Sequence, residues 1–145
     1  MPDPADIRVS EIIVRVNYSE TDQMGVVYHA RYVVWLDIAR TEHLRAAGMS
    51  YKDVEAMGVR LAVGELNVRY RQAARYDDSV RVRCWVREIG SRKIDFGYAI
   101  EHADTRQLLA TASTAMFSIS NDHRPTRLPE VVSRLLHPVP DPIRV

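Results

Sequence analysis

The sequence is poor in cysteine, has no excess of one charge and contains no long apolar run. Its single cysteine, Cys84, cannot form an internal disulfide, which excludes a disulfide-stapled scaffold and favours a reducing, cytoplasmic compartment. No stretch approaches the roughly 20 apolar residues of a membrane-spanning helix, and the N-terminus does not resemble a signal peptide, so we expect no membrane insertion. The 20 basic and 19 acidic residues nearly cancel, which argues against nucleic-acid binding.

The composition, 46% apolar and 27% charged, is that of a folded protein rather than a disordered chain. The length of 145 residues allows one domain with a sizeable core. We therefore expect a single domain over 1–145, with its core over about 9–120 and a tail over 121–145. We expect residues 1–7 and the proline-rich end of the tail, around Pro140, to be loose.

The apolar pattern predicts one strand followed by one long helix. Residues 12–18 alternate between apolar and polar side chains with the period of a strand. Residues 30–47 repeat apolar side chains at helical spacing, and Gly48 is suited to end that helix. Ser50 and Asp53 form a capping box that predicts a short second helix. The apolar stripe of the long helix consists of Tyr32, Trp35, Leu36, Ala39, His43 and Ala46.

Four further strand patterns follow, and each alternates with a period of two. The first pattern changes phase at Gly64, where a β-bulge would keep both of its apolar sets on one face. The short links between the patterns predict antiparallel hairpins, and a turn at 75–77 would set Arg69 opposite Arg83. The strand patterns cover about 59–70, 80–86, 94–100 and 107–119, and a terminal helix is predicted over 129–137.

This element order predicts an α+β architecture. One strand, one long helix and four antiparallel strands form a single sheet whose apolar face is covered by the helix. The other face of the sheet has no covering layer of its own, so it must be polar or meet a partner. We therefore expect the protein to form an oligomer.

The loop between the first strand and the long helix carries the residues best suited to catalysis. It holds an acid, Asp22, a glycine, Gly25, and a histidine at the helix start, His29. The first N–H groups of a helix have no intrahelical partner, and residues 26–30 include no Ser, Thr, Asp or Asn to cap them. Free N–H groups at Tyr28 and His29 would bind a substrate oxygen as an oxyanion hole. The alternative is that water or Asp22 itself caps the helix.

One carboxylate beside an oxyanion site suits thioester cleavage. The leaving thiolate belongs to a thiol with a pKa near 8.5, by analogy with cysteine, so no strong general acid is needed. The carboxylate can attack the carbonyl directly as a nucleophile or can deprotonate a water molecule. Amide or phosphoester cleavage would need more machinery than this loop contains.

The loop and the segments around it resemble the acyl-CoA thioesterases of the hotdog fold, in which an antiparallel sheet of about five strands wraps around one long helix. The closest branch is the 4-hydroxybenzoyl-CoA thioesterase type, which includes the short-chain acyl-CoA thioesterases encoded beside the bacterial Tol–Pal system. The resemblance covers about residues 9–120. It is carried by Tyr18-x-Glu20-Thr21-Asp22-x-x-Gly25-Val26-Val27-Tyr28-His29-Ala30-x-Tyr32, by Ala39-Arg40-Thr41-Glu42 and by Tyr70-Arg71-x-x-Ala74-Arg75-Tyr76-x-Asp78.

The resemblance implies a role for each loop residue. Asp22 stands at the position of the family's catalytic carboxylate, which acts as nucleophile or general base. His29 stands where the family has a helix-start residue whose backbone N–H polarises the thioester carbonyl, and its side chain is expected to assist. Tyr28 precedes it at the helix start, and Gly25 is expected to let the loop approach the substrate closely.

The resemblance also implies how the substrate and the subunits are held. Ser91, Arg92 and Lys93 lie in the hairpin with which relatives grip the phosphates of coenzyme A, although a solvated turn is the alternative. Coenzyme A would be part of the substrate, and no separate cofactor or metal is expected. The family implies a homodimer with shared active sites, often paired into a homotetramer. It spans short aliphatic, branched and aromatic acyl groups, so the acyl chain is not fixed.

Other assignments compete with this one. A hotdog dehydratase acting on acyl carrier protein substrates would pair a histidine with an acid on the helix, and Glu42 and His43 are the residues available there. A paired-carboxylate site would join Glu20 to Asp22. A module that binds acyl-CoA without turnover is the non-enzymatic alternative. For the remaining sites we expect an inert, buried thiol at Cys84 and no metal site, since the five histidines show no ligand spacing.

Overall fold

A computed structural model describes residues 8–145. It contains five strands, three α-helices and one short 3₁₀ helix within that range. The predicted long helix, short helix, terminal helix and bulged strand are all present, and the first strand lies three residues earlier than predicted. The strands are β1 (Val9–Arg15), β2 (Val59–Tyr70), β3 (Ser79–Ile89), β4 (Lys93–His102) and β5 (Leu108–Ser120). The helices are the 3₁₀ turn (Tyr18–Glu20), α1 (Arg31–Ala46), α2 (Tyr51–Ala56) and α3 (Glu130–Leu135).

The five strands form one antiparallel sheet in the order β1-β3-β4-β5-β2. The predicted hairpin between β2 and β3 is therefore wrong: β2 pairs with β5 at one edge, and β3 lies at the other end between β1 and β4. The link between them does not turn back on itself because it is bound to the segment before α1. Ala74 accepts a hydrogen bond from the Val27 N–H at 2.9 Å and donates its own N–H to the Tyr32 hydroxyl.

The arginines of β3 do not face the arginines of β2. Arg69 pairs with Thr111 on β5, while Arg83 lies opposite Glu11 on β1. The Nε atom of Arg81 lies 3.5 Å from the Glu11 carboxylate. The carboxylate beside Arg81 therefore comes from β1 of the same chain. Because β2 and β3 are not neighbours, their arginines do not lie opposite one another.

Helix α1 packs against one face of the sheet and buries the predicted stripe except for Ala46, which is half-buried. Its buried residues include Trp35, Leu36 and Ala39, with His43 also only 1% exposed. The side chains of β3 and β4 that alternate towards this helix are fully buried, as their period-two pattern predicts. They are Val80, Val82, Cys84, Val86, Ile94, Phe96, Tyr98 and Ile100.

The caps and the bulge follow from local sequence. Ser50 and Asp53 cap α2 reciprocally at 3.1 and 3.0 Å. The register of β2 shifts between Val63 and Glu65, which confirms the bulge at Gly64. A Cβ atom at position 64 would collide with the Phe117 ring, so a larger residue there would have to displace that ring.

The edge strand β2 leaves an apolar surface open beside α1. Val63 and Leu66 on the strand and Val34 and Ile38 on the helix are each more than 40% exposed. We call these four residues the apolar edge. Exposed strand edges offer unpaired backbone groups to another chain, so this edge is suited to extension of the sheet.

The tail does not hang loose as predicted. The Val139 N–H donates to the Val86 carbonyl at 3.0 Å, and the Asp141 carboxylate binds Trp85 and Arg87. The prediction for residues 1–7 lies outside the described residues. In the part of the chain that the structure describes, no helix combines the length and apolar character needed to cross a membrane.

Candidate active site

The loop before α1 is a tight hairpin built by backbone hydrogen bonds. Thr21 and Val27 form an isolated antiparallel bridge, and the Asp22 N–H donates to the Val26 carbonyl at 2.9 Å. Gly25 has a φ of +79° and donates its N–H to the Asp22 carbonyl at 3.0 Å. Because a Cβ atom at position 25 would meet nothing within 4 Å, the structure gives a conformational reason for this glycine. Its close approach to a substrate stays a prediction.

The Asp22 carboxylate is half-buried and only partly engaged. Its Oδ1 atom accepts a hydrogen bond from the Met24 N–H at 2.8 Å, the pattern of an Asx turn. Within residues 8–145, the second oxygen, Oδ2, has no hydrogen-bond partner. The carboxylate therefore does not cap α1, and one oxygen remains available for chemistry.

Glu20 is a structural carboxylate rather than a second catalytic one. It is 6% exposed, and both of its oxygens are occupied. Oε1 accepts the Asn17 N–H at 2.8 Å, and Oε2 accepts the Trp35 indole N–H at 3.0 Å. Glu20 thereby ties the loop to α1, and a paired-carboxylate site with Asp22 is not formed.

The start of α1 has no side-chain cap, as the absence of capping residues predicts. Ala30 is the N-cap, and it makes no side-chain cap hydrogen bond. The expectation for Tyr28 is wrong, because its N–H donates to the Glu20 carbonyl at 2.8 Å and is not free. The N–H groups of His29 and Ala30 have no hydrogen-bond partner among the residues that the structure describes. Of these two residues, His29 lines the cavity beside Asp22, so its N–H is the candidate oxyanion donor.

Asp22 and His29 line the same open cavity, which has a volume of about 300 Å³. Such a volume lies at the lower end of the range for small-molecule sites. A larger depression of about 590 Å³ lies over Ser113 and Ala115, away from the helix start. We place the site in the smaller cavity because Asp22, with a free carboxylate oxygen, and His29, with an unpartnered N–H, both line it. The other residues that line it are Met24, Val26, Val27, Tyr32, Tyr70, Arg71, Gln72 and Ala73.

Two tyrosines line this cavity, and neither is among the catalytic or coenzyme-binding residues that the sequence predicts. The Tyr70 hydroxyl donates to the His29 carbonyl at 2.7 Å, and the Tyr32 hydroxyl accepts the Ala74 N–H at 2.9 Å. Their rings meet edge to face, with centroids 5.2 Å apart. Burial raises the pKa of both hydroxyls, so both stay protonated near neutral pH. In the sequence Tyr70 belongs to the Tyr70-Arg71 motif that carries the family resemblance. That motif does not indicate that the Tyr70 hydroxyl binds the His29 carbonyl.

The hairpin predicted to hold coenzyme A lies far from this cavity within one chain. Lys93 pairs with Phe117, which pairs in turn with Ala62 near the start of β2, whereas Tyr70 ends that strand. Ala62 and Tyr70 are eight residues apart on β2, so at about 3.3 Å per residue they are separated by roughly 26 Å along the strand. One subunit therefore does not bring the hairpin and Asp22 together.

The hairpin of Ser91, Arg92 and Lys93 is largely exposed, and one of its two cations is paired with an acid. Ser91 and Arg92 are exposed, while their carbonyls accept the N–H groups of Leu128 and Ser118 at 2.9 and 2.8 Å. The Lys93 ammonium lies 3.3 Å from the Asp95 carboxylate. Leu128 of the tail and Ser118 of β5 thus hold the hairpin backbone and leave the side chains of Ser91 and Arg92 facing solvent.

A family model described as the thioesterase-like superfamily matches residues 16–136. The chain belongs to this superfamily. The putative acyl-CoA thioesterase YneP of Bacillus subtilis is 36% identical over 108 residues, 74% of this chain and 78% of the relative. The acyl-CoA thioesterase YbgC of Haemophilus influenzae is 32% identical over 125 residues, 86% of this chain and 91% of the relative.

The fold agrees with this membership. A solved structure of the DHNA-CoA thioesterase from Staphylococcus aureus superposes with a TM-score of 0.79 at 33% identity, covering 83% of this chain and 80% of that one. The hotdog fold and the resemblance to its acyl-CoA thioesterases are therefore confirmed.

Glu42 and His43 on α1 of this thioesterase-like chain do not form a second site. Glu42 pairs with Arg45 on the helix surface at 3.3 Å. His43 is buried, and its Nδ1 atom lies 2.7 Å from the Ser10 hydroxyl. Neither residue lines the Asp22 cavity. Within residues 8–145, no three His, Cys, Asp or Glu side chains are grouped so as to hold a metal ion.

Proposed function

We propose that the protein hydrolyses acyl-CoA thioesters to a free acid and coenzyme A. The observation that carries the proposal is the cavity shared by Asp22, with its free Oδ2 atom, and the unpartnered N–H of His29. The names of the superfamily relatives, YneP and YbgC, support the same substrate class. The reaction consumes water and acyl-CoA, and we propose no further cofactor.

In the proposed reaction the thioester carbonyl oxygen accepts the N–H of His29, which lines the cavity. This donor stabilises the negative charge that develops on that oxygen, which typically lowers a barrier by about 3–4 kcal/mol. The side chain of His29 lies at the same cavity and is proposed to assist. Loss of the thiolate needs no general acid because coenzyme A is a good leaving group.

Asp22 supplies the attack by one of two routes. As a nucleophile, it bonds to the carbonyl carbon, the thiolate leaves with the bonding electrons, and water then cleaves the resulting mixed anhydride. As a general base, it takes a proton from the water that attacks. Single turnover in heavy-oxygen water tests the nucleophilic route, since a label in the Asp22 carboxylate arises only when water attacks the aspartyl carbonyl of the anhydride.

The geometry favours hydrolysis over the other assignments. A dehydratase would need a helix acid in the cavity, and neither Glu42 nor His43 lies there. A purely binding module would have no use for an uncommitted carboxylate oxygen beside a free N–H group.

We further propose that two copies join along the edge strand β2 to complete each site. Antiparallel pairing of β2 with its own copy reverses the strand ends, so the Lys93 end of one subunit meets the Tyr70 end of the other. The apolar edge supplies surface that such pairing buries. The hairpin of Ser91, Arg92 and Lys93 would then hold the phosphates of a substrate whose thioester lies at Asp22 of the second copy. Two such dimers would form the homotetramer.

The test of the activity is thiol release from short, long and aromatic acyl-CoAs. We expect turnover by the wild type, a loss of at least about a hundredfold in Asp22→Asn, and no loss in the exposed-turn control Asp122→Asn. Thermal unfolding of each variant checks that it is folded. Absence of release from every acyl-CoA would contradict the proposal, as would an active Asp22→Asn enzyme.

The test of the shared site is co-expression of two impaired subunits. One carries Asp22→Asn, and the other carries Arg92→Ala with Lys93→Ala. A site shared across a twofold axis gives about a quarter of the wild-type sites when the two chains assemble at random, because each mixed dimer regains one intact site. A site built within one subunit gives no recovery, which would overturn this arrangement.

A further inference from the structure

We propose that Arg71 binds a carboxylate on the acyl group of the substrate, so that the protein selects acyl-CoAs whose acyl chain ends in an acid. The inference rests on the proposed thioester hydrolysis, because it names the substrate class of the same site. Arg71 belongs to the motif that carries the family resemblance, yet the proposed reaction does not use it. It is a specificity residue and takes no part in the attack on the thioester.

Arg71 lines the cavity that Asp22 and His29 also line. It follows directly after β2, and its backbone N–H is turned to β5, where it donates to the Leu109 carbonyl at 2.8 Å. What Arg71 offers to a ligand is therefore its guanidinium. Within residues 8–145, it is the one Arg or Lys among the residues that line this cavity. A permanent positive charge thus belongs to the same small space as the proposed catalytic groups.

The guanidinium of Arg71 has no partner within the part of the chain that the structure describes. No carboxylate oxygen lies within 4.0 Å of it, whereas Arg45, Arg81 and Arg87 each meet an acid. Asp22 lines the same cavity but keeps its second oxygen free instead of pairing with Arg71. This exposed cation is available to an anion of the substrate, and a guanidinium matches a carboxylate through two parallel N–H donors.

The size of the cavity decides which anion of the substrate Arg71 can reach. A space of about 300 Å³ is roughly 8 Å across, so an anion bound there lies close to the thioester carbonyl at His29. The phosphates of coenzyme A are separated from its sulfur by the pantetheine arm, which is longer than this cavity. A carboxylate on the acyl group, a few carbon atoms beyond the carbonyl, fits the distance.

The charges of the cavity support the same substrate class. A substrate carboxylate close to Asp22 would be repelled by it in the absence of a cation, because like charges at short distance disfavour each other. Arg71 offsets this repulsion by pairing with the substrate carboxylate. Loss of the guanidinium removes the attraction and leaves the repulsion, so it affects an acidic acyl group more strongly than an uncharged one.

The experiment measures kcat/KM for two acyl groups of the same shape in the wild type and in Arg71→Gln. Glutaryl-CoA carries the terminal carboxylate, and 5-methylhexanoyl-CoA has an uncharged isopropyl end in its place. We expect the wild type to prefer the glutaryl group. The ratio of the two kcat/KM values should fall by about tenfold to a hundredfold in Arg71→Gln, because a charge-assisted contact with two donors is lost.

The matched control is Arg75→Gln. Arg75 is an exposed arginine of the same link, and it does not line the cavity. Its variant should keep the wild-type ratio, and thermal unfolding checks that both variants are folded. An unchanged ratio in Arg71→Gln, or an equal fall in the two variants, would overturn the proposal.

The N-acetylcysteamine thioesters of the same two acyl groups separate the acyl carboxylate from the phosphates, because this carrier has the thiol end of coenzyme A without its phosphates. We expect the ratio to fall in Arg71→Gln on this carrier as well. A loss shared by both coenzyme A substrates and absent from both N-acetylcysteamine thioesters would assign Arg71 to a phosphate and overturn the proposal.

A binding measurement does not depend on turnover. Amide analogues of the two acyl-CoAs, with N–H in place of the thioester sulfur, serve as stable ligands. The NMR signal of the Arg71 Nε–H group should shift on titration with the glutaryl amide and not with the isosteric amide. A signal that responds to neither ligand, or to both alike, would overturn the contact even in an active hydrolase. A wild type that releases no thiol, while the signal responds to the glutaryl amide alone, would refute the hydrolase and leave the carboxylate site supported.

Discussion

The Asp141 carboxylate accepts a hydrogen bond from the Trp85 indole N–H at 2.9 Å, across 56 positions of the chain. The same carboxylate binds the Arg87 guanidinium at 3.0 Å through two nitrogens. Trp85 points away from α1, yet it is completely buried. The tail therefore covers Trp85 on the outer face of the sheet, and residues 139–141 are part of the fold.

Removal of this carboxylate is expected to destabilise the protein. Asp141→Ala leaves the Trp85 N–H without its partner and breaks the pair with Arg87, which should lower the free energy of unfolding by about 1–3 kcal/mol. Urea unfolding followed by tryptophan fluorescence measures the change. The exposed control Asp122→Ala should stay within about 0.5 kcal/mol of the wild type. Equal stability of both variants would mean that the tail contributes nothing to the fold.

Gly97 is expected to tolerate no side chain, because it lies beneath the Trp85 ring. A Cβ atom there would be 2.5 Å from two ring atoms of a side chain that Asp141 holds in place. We expect Gly97→Ala to cost about 1–3 kcal/mol of unfolding free energy. The comparison is Gly90→Ala, where the nearest atom would be 3.8 Å away and little change is expected. A melting temperature of Gly97→Ala equal to that of Gly90→Ala would refute the argument.

Acid is expected to destabilise the fold through His43. Burial lowers the pKa of His43 from 6.5 to about 4, so below pH 6.5 the unfolded chain binds a proton that the folded chain does not. The free energy of unfolding should fall by up to about 3 kcal/mol as the pH drops from 6.5 to 4, and this contribution should level off below that.

The His43 contribution is isolated by substitution. Urea unfolding of His43→Gln between pH 4 and 7 should show a shallower decline with acid than the wild type. The exposed His123 has a φ of 61°, which asparagine tolerates, so His123→Asn is the control and should keep the wild-type slope. A His43→Gln profile that parallels the wild type would assign the acid sensitivity to other groups.

Cys84 is expected to be unreactive in the folded protein. It is fully buried between α1 and the sheet, and burial raises the pKa of its thiol, so little thiolate forms. An aromatic disulfide reagent should label no thiol in the native protein and one thiol per chain in concentrated urea. Rapid labelling without urea would show that β3 opens. The same reagent can therefore report released coenzyme A without a background from the protein.

The elements that local periodicity specifies were predictable, and the pairing between them was not. The stripe of α1, the cap at Ser50 and the phase change at Gly64 are each encoded within a few residues. The neighbour of β2 is set by a link that binds to Val27 and Tyr32 instead of forming a turn, and those contacts join positions more than 40 residues apart. A short link therefore suggested a hairpin that does not exist.

In the candidate site, too, local features were predictable and contacts between distant residues were not. Asp22, Gly25 and the uncapped helix start were readable because their chemistry is local to one loop. The hydrogen bond of the Tyr28 N–H was not predictable, because its acceptor, the Glu20 carbonyl, reaches it only when the loop folds back on itself. Tyr70 arrives from another strand, which sequence spacing alone does not reveal.

The tip of the loop that carries Asp22 has a consequence for natural variation. Gln23 and Met24 are exposed, and within residues 8–145 neither side chain forms a hydrogen bond; the loop is held by backbone groups and by Glu20. Both positions can drift among homologous chains without disturbing Asp22, and Met24 lies on the rim of the cavity, where such drift would alter the range of acyl groups admitted. One residue is forbidden: proline at position 24 would remove the N–H that holds the Asp22 carboxylate.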